Sequence, residues 1–137
     1  MPRRTFLDAN ILIAAHRGEA VQKEAALRIL TNPDRFFIAS PFLALELLPK
    51  AIYNRYTAEA EFYRAYFDGV QLWISDVGAT VQIAQQESQR AGLNAMDALL
   101  VAAAALGETE EFYTLESAEK PIHRTSLVHV IHLQPDW

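Results

Sequence analysis

Four acids stand where ordinary strand and helix patterns would not put them: Asp8 in "TFLDANILI", Glu46 in "PFLALELLP", Asp97 in "LNAMDALLVAAAAL" and Glu116 just past "EFYTL". Asp8 separates two apolar runs where a strand-like segment gives way to a helix-like one, and in open parallel sheets ligands gather at the carboxyl ends of strands. Asp8 or Asn10 would also serve as a plain N-cap for "ILIAAH". Glu46 has Phe42, Leu43, Leu45, Leu47 and Leu48 around it at helical spacings, which predicts little solvated face for its carboxylate. Such a group is costly unless an arginine or a bound cation accompanies it. Asp97 has Leu93, Leu100, Val101 and Ala104 at i−4, i+3, i+4 and i+7, on the apolar stripe of its helix. A first-turn acid complements the helix dipole, but that role is expected on the wet face. Glu116 follows a strand, with Ser117 beside it and Glu119 as a competitor for the same role. Convergent carboxylates suit a hard divalent cation, Mg2+ or Mn2+. Such an ion can hold a phosphate, lower the pKa of a bound water and stabilise the oxygens of an in-line displacement.

The elements that must deliver these acids alternate along the chain. Strand-like runs fall at 4–7, 35–40, 70–75, 111–115 and 127–133. Between them "AVQKEAALRIL" and "TAEAEFYRAYF" carry helical spacing, so the pattern predicts an α/β domain with a mostly parallel sheet. Thr57 is expected to cap the second of these helices, Asp76 or Ser75 a helix over about 77–90, and Asn94 one running to Ala105, with Gly92 before it and Gly107 after it. Pro49 should kink or end the helix that carries "LALELL".

Composition narrows the function classes. A length of 137 residues predicts one domain spanning 1–137, and neither repeat nor linker is visible. The absence of cysteine excludes disulfides, thiolate zinc sites and a cysteine nucleophile, and a cytoplasmic compartment is expected. No apolar run is long enough for a membrane span, and Asp8 and Asn10 interrupt the one that would make a signal peptide. The net charge of −5 has the wrong sign for holding nucleic acid by bulk electrostatics, although a metal bound among carboxylates inverts the local field.

Taken in order, "FLDANILI", "SPFLALELL", "AGLNAMDALLVAAAA" and "EFYTLE" resemble the motifs of the PIN-domain ribonucleases, including VapC-type toxins. The resemblance implies a three-layer α/β/α fold, a five-stranded sheet of order 3-2-1-4-5 with helices on both faces, and the acids meeting in a cleft. It also implies Mg2+- or Mn2+-dependent hydrolysis of RNA leaving a 5'-phosphate. Asp8, Glu46 and Asp97 would hold the metal and orient water, Glu116 would complete the set, and Asn10, Ser40, Thr114 and Ser117 would support it. An RNA substrate, an antitoxin protein, a homodimer and no membrane are the partners so implied. The chain departs from the pattern at Glu116, where the family more often has the shorter Asp.

Other readings lack their residues. A haloacid-dehalogenase-like phosphatase needs a second Asp two positions after Asp8, where Asn10 stands. A receiver domain needs an acidic pair upstream. No phosphate-cradling glycine motif is present. His129 and His132, three apart in a predicted strand, point to opposite faces, while His16 and His123 look isolated. The aromatic set Tyr53, Tyr56, Phe62, Tyr63, Tyr66, Phe67 and Trp73 reads as core or a partner groove in preference to a base-stacking platform. The alternative from a different class is a PIN-like module with little catalysis that binds RNA or a protein partner.

Overall fold

A computed structural model describes residues 2–134. Five parallel strands, β1 (Arg3–Leu7), β2 (Arg35–Ala39), β3 (Leu72–Trp73), β4 (Glu111–Thr114) and β5 (Val130–His132), form one sheet in the order β3-β2-β1-β4-β5. Thr5, Phe6 and Leu7 of the central strand are all buried, because in a parallel sheet with helices on both sides neither face meets water. The Phe6 and Phe112 rings stack across β1 and β4, 5.3 Å apart.

Six α-helices flank the sheet: α1 (Ala9–Arg17), α2 (Ala20–Leu30), α3 (Pro41–Tyr53), α4 (Thr57–Asp68), α5 (Val77–Ala91) and α6 (Ala95–Leu106). Helix α1 packs on β4 and α2, α6 packs on β2 and α5, and α3 touches α1, α4 and α6. The expected fold class and strand order are both present. The two edge strands are shorter than the apolar runs suggested, since an edge strand has only one neighbour to pair with: "VQLWIS" contributes Leu72–Trp73 and "LVHVIHL" contributes Val130–His132.

Helix boundaries follow side-chain chemistry. Asp76 caps α5 by accepting from the Ala79 amide, and Asn94 caps α6 by accepting from the Asp97 amide. Gly92 closes α5 at φ 71°, a left-handed backbone that only glycine adopts without strain. The expected Thr57 cap is absent, and Pro49 does not end its helix. Thr57 is the first helical residue of α4, and Tyr56 precedes it with no side-chain cap. Helix α3 continues four residues beyond Pro49. The carbonyl that loses its donor to Pro49 belongs to Leu45, on the solvent side of the helix, so water can replace the missing bond.

Candidate active site

Strand β1 ends on Leu7, and the next residue caps the following helix. The Asp8 Oδ1 accepts from the Ala9 amide at 2.8 Å, and its Oδ2 accepts from the Thr114 hydroxyl at 2.8 Å. Thr114 ends the neighbouring strand β4, so parallel pairing of β1 with β4 brings together residues 106 positions apart in sequence. Its hydroxyl is saturated: it donates to Asp8 and accepts from the Asn10 side chain at 3.2 Å and the Glu116 amide at 3.1 Å. Asn10 also accepts from the Leu115 amide. Asp8 therefore does the capping, while Asn10 braces the loop that carries Glu116.

Asp97 lies in the first turn of α6, half-buried beside the buried Leu93, Leu100, Val101 and Ala104. Glu46 corrects the sequence reading, because the residue is solvent-exposed. Leu43, Leu47 and Ala51, spaced by four, form the buried stripe of α3, and Glu46 sits at its margin with Leu45 outside it. Glu116 is partly buried, and its carbonyl accepts from His123 Nε2 at 2.8 Å, which gives a backbone role to a histidine that looked isolated. Ser40 is buried at the end of β2 and caps α3 through the Leu43 amide. The Ser117 hydroxyl is committed to Glu119, so it is engaged away from Glu116.

Electrostatics link the four acids. Burial, first, and then the charges of Asp97 and Glu46 push Asp8 up to about 7 against the pull of its Thr114 and Ala9 hydrogen bonds. Burial and then Glu116 raise Asp97. Partial burial and then Asp97 raise Glu46. Among the described residues no three carboxylate or imidazole groups stand close enough to enclose an ion, so the acids are coupled through their charges and are not assembled as a ready coordination shell.

Comparison with the other buried acids distinguishes this group. Asp8, Glu59, Glu87 and Glu111 are the buried carboxylates among the described residues. Glu59 lies 3.6 Å from Arg17 and accepts from the Tyr63 hydroxyl. Glu87 is bound by Arg90 and Thr125, and these bonds hold its pKa down at about 2. Glu111 is met by Arg3, Arg35 and the Tyr113 hydroxyl, which together outweigh its burial and lower its pKa. Asp8 alone has no basic partner. Sequence reasoning passed over Glu59, Glu87 and Glu111. Only the local spacings Glu87–Arg90, three apart on α5, and Glu59–Tyr63, four apart on α4, signalled any of these partners.

No significant match was found among curated proteins. Solved structures with the same fold include a toxin–antitoxin complex from Klebsiella pneumoniae, 20% identical, covering 90% of this chain and 94% of that one with a TM-score of 0.68. VapBC2 from Rickettsia felis, bound to a DNA fragment from its promoter, is 12% identical over 93% and 97% of the two chains, with a TM-score of 0.69. FitAcB from Neisseria gonorrhoeae is 16% identical over 92% and 95%, with a TM-score of 0.65. Residues 5–118, from the strand before Asp8 to just past Glu116, match the PIN domain family, and the chain belongs to that family.

Proposed function

We propose that residues 1–137 form a single PIN-like domain acting as a divalent-metal-dependent endoribonuclease, the toxin of a toxin–antitoxin pair. The observation that carries this reading is Asp8 at the end of the central strand, among the described residues the one buried acid without a cationic partner, coupled to the carboxylates of Asp97 and Glu46. The donors are all hard oxygens, which suits Mg2+ or Mn2+ and argues against a soft metal.

Asp8, Glu46 and Asp97 would hold the ion, with Glu116 joining them. When bound, the ion would acidify a water and neutralise charge on the scissile phosphate. The protein's own contribution is positional. Thr114 fixes one Asp8 oxygen and tethers the Glu116 peptide, and Asn10 locks α1 to the same loop. Because Asp8 titrates near neutrality without metal, ion binding must displace its proton, so affinity rises with pH.

Family membership supports nuclease chemistry, and the toxin–antitoxin complex among the structural neighbours supports a protein partner of antitoxin type. Exposed Leu45, Ile52 and Tyr53 on α3 support self-association into a homodimer. Among the described residues no helix is long and apolar enough to cross a membrane; the cytoplasmic location belongs to the toxin–antitoxin reading. The second reading, a binding module with weak catalysis, draws on the unassembled carboxylates and the longer Glu116. Incubating labelled RNA and Mn2+ with wild type, Asp8→Asn and Asp97→Asn separates the two. Cleavage by the wild type, lost in both variants, is expected. Equal cleavage by all three refutes the site, and no cleavage across a broad RNA panel favours the binding module.

A further inference from the structure

Glu46 and Lys50 stand one turn apart on α3, Asn54 caps its C-terminal end four residues on, and all three line one cavity of about 230 Å3. Arg17 at the end of α1 and Tyr56 and Glu59 at the start of α4 close its other sides. The cavity shares Glu46 with the acid group, so a ligand reaching those acids has a neighbouring recess one helical turn, about 5 Å, farther along α3.

The charges in this recess are sorted. Glu59 is buried and satisfied by Tyr63 and Arg17, which orients the half-exposed guanidinium at the rim. Lys50 is exposed and has no ion-pair partner among the described residues. Tyr56 is half-exposed, in contrast to Tyr63 and Phe67 of the same aromatic set, which are core. A chain of net charge −5 that brings a polyanion to a group of acids needs local positive charge beside them. Glu59 offsets the charge of Arg17, whose remaining guanidinium donors stay at the rim, so the positive charge beside the acids is that of Lys50, and Tyr56 adds a ring face on which any base can stack.

We propose that this cavity is a nucleotide subsite in which Lys50 and Arg17 hold the phosphate next to the one cleaved while Tyr56 stacks the attached base. This rests on the ribonuclease reading and extends it: the substrate is a single strand, laid along α3 toward the acids.

The test is fluorescence anisotropy of a labelled single-stranded RNA with the full chain in chelator, run beside Mn2+-dependent cleavage kinetics. Lys50→Ala should weaken binding about 5-fold and reduce the slope of log affinity against log salt by about 0.7. Tyr56→Ala should weaken it about 10-fold, with Tyr56→Phe retaining wild-type affinity. In cleavage these losses should appear in KM, with kcat little changed. Arg17→Lys should keep most of the binding, and Arg64→Ala, on the exposed face of α4, should match wild type. If wild type binds RNA but Lys50→Ala and Tyr56→Ala behave like Arg64→Ala, the subsite is refuted and the nuclease stands. Binding that shows the expected losses without any cleavage keeps the recess as an RNA contact but overturns the nuclease, and with it the place of this phosphate beside a cleaved one. A wild type that neither binds nor cleaves overturns both.

Discussion

Replacing Asp8 by Asn should make the metal-free protein more stable at pH 8 and less stable at pH 4. Asp8 rises from an ordinary 3.8 to about 7 on folding, which makes its ionisation cost about 4 kcal/mol more in the folded protein than in the unfolded chain. The sign follows from proton uptake. Below pH 4 both states carry the proton and the term vanishes. Between about 4 and 7 the folded protein keeps the proton that the unfolded chain releases, so stability falls as pH rises, then levels off above 7. Asn removes this penalty but introduces a smaller one. The Ala9 amide and the Thr114 hydroxyl donate to different Asp8 oxygens, and Thr114 cannot turn its proton elsewhere because its acceptor capacity is already filled by Asn10 and Glu116. An amide offers one oxygen, so one donor is stranded at about 1 kcal/mol. Asp8→Asn should therefore be about 1 kcal/mol less stable at pH 3, about half that at pH 4, and up to about 3 kcal/mol more stable at pH 8, with the curves crossing between about pH 4 and 5. Denaturant unfolding in EDTA across this range measures it. Parallel curves, or a variant less stable throughout, would show that Asp8 is not a desolvated, uncompensated acid.

Thr114→Val strands the Asn10 amide, the Glu116 amide and an Asp8 oxygen together, and should cost about 3 kcal/mol in denaturant melts at pH 7. Glu87 behaves oppositely to Asp8: held at about 2 against an ordinary 4.5, it stabilises above pH 4.5 and loses that contribution as pH falls through 2. Glu87→Gln should accordingly cost about 3 kcal/mol at pH 7 and little at pH 2, read from the same unfolding curves. Gly92→Ala, forced to φ 71° with its Cβ 3.3 Å from the Arg124 guanidinium, should lose about 1 kcal/mol or more by thermal unfolding.

The parts of this structure legible in the sequence were those fixed by short-range pattern. Asp76 and Asn94 announce their helices because a cap and its amide are three residues apart. The burial of Asp8 was legible because it falls between two apolar runs, and the half-burial of Asp97 because Leu100 and Val101 share its face. Glu46 misled for the same reason that made it conspicuous: leucines at every helical spacing cannot all be core, and only packing against α1, α4 and α6 decides that Leu47 is buried and Leu45 is not. Pro49 misled because the penalty it carries depends on whether solvent reaches the orphaned carbonyl. What separates Asp8 from Glu111 was not legible. Arg35 meets Glu111 across 76 residues, and Thr114 meets Asp8 across 106, distances that only the parallel sheet closes.

The central claim is that Asp8 and Asp97 are ligands of one divalent ion. Titration calorimetry of Mn2+ into the metal-free protein at pH 7.5, beside Asp8→Asn, Asp97→Asn and the surface control Glu61→Gln, tests it without requiring a substrate. Wild type and Glu61→Gln should bind alike, with proton release that grows as pH falls toward 7, and each aspartate variant should weaken binding by about tenfold or more. Mn2+ binding of equal strength in all four proteins, or none in any, would contradict it.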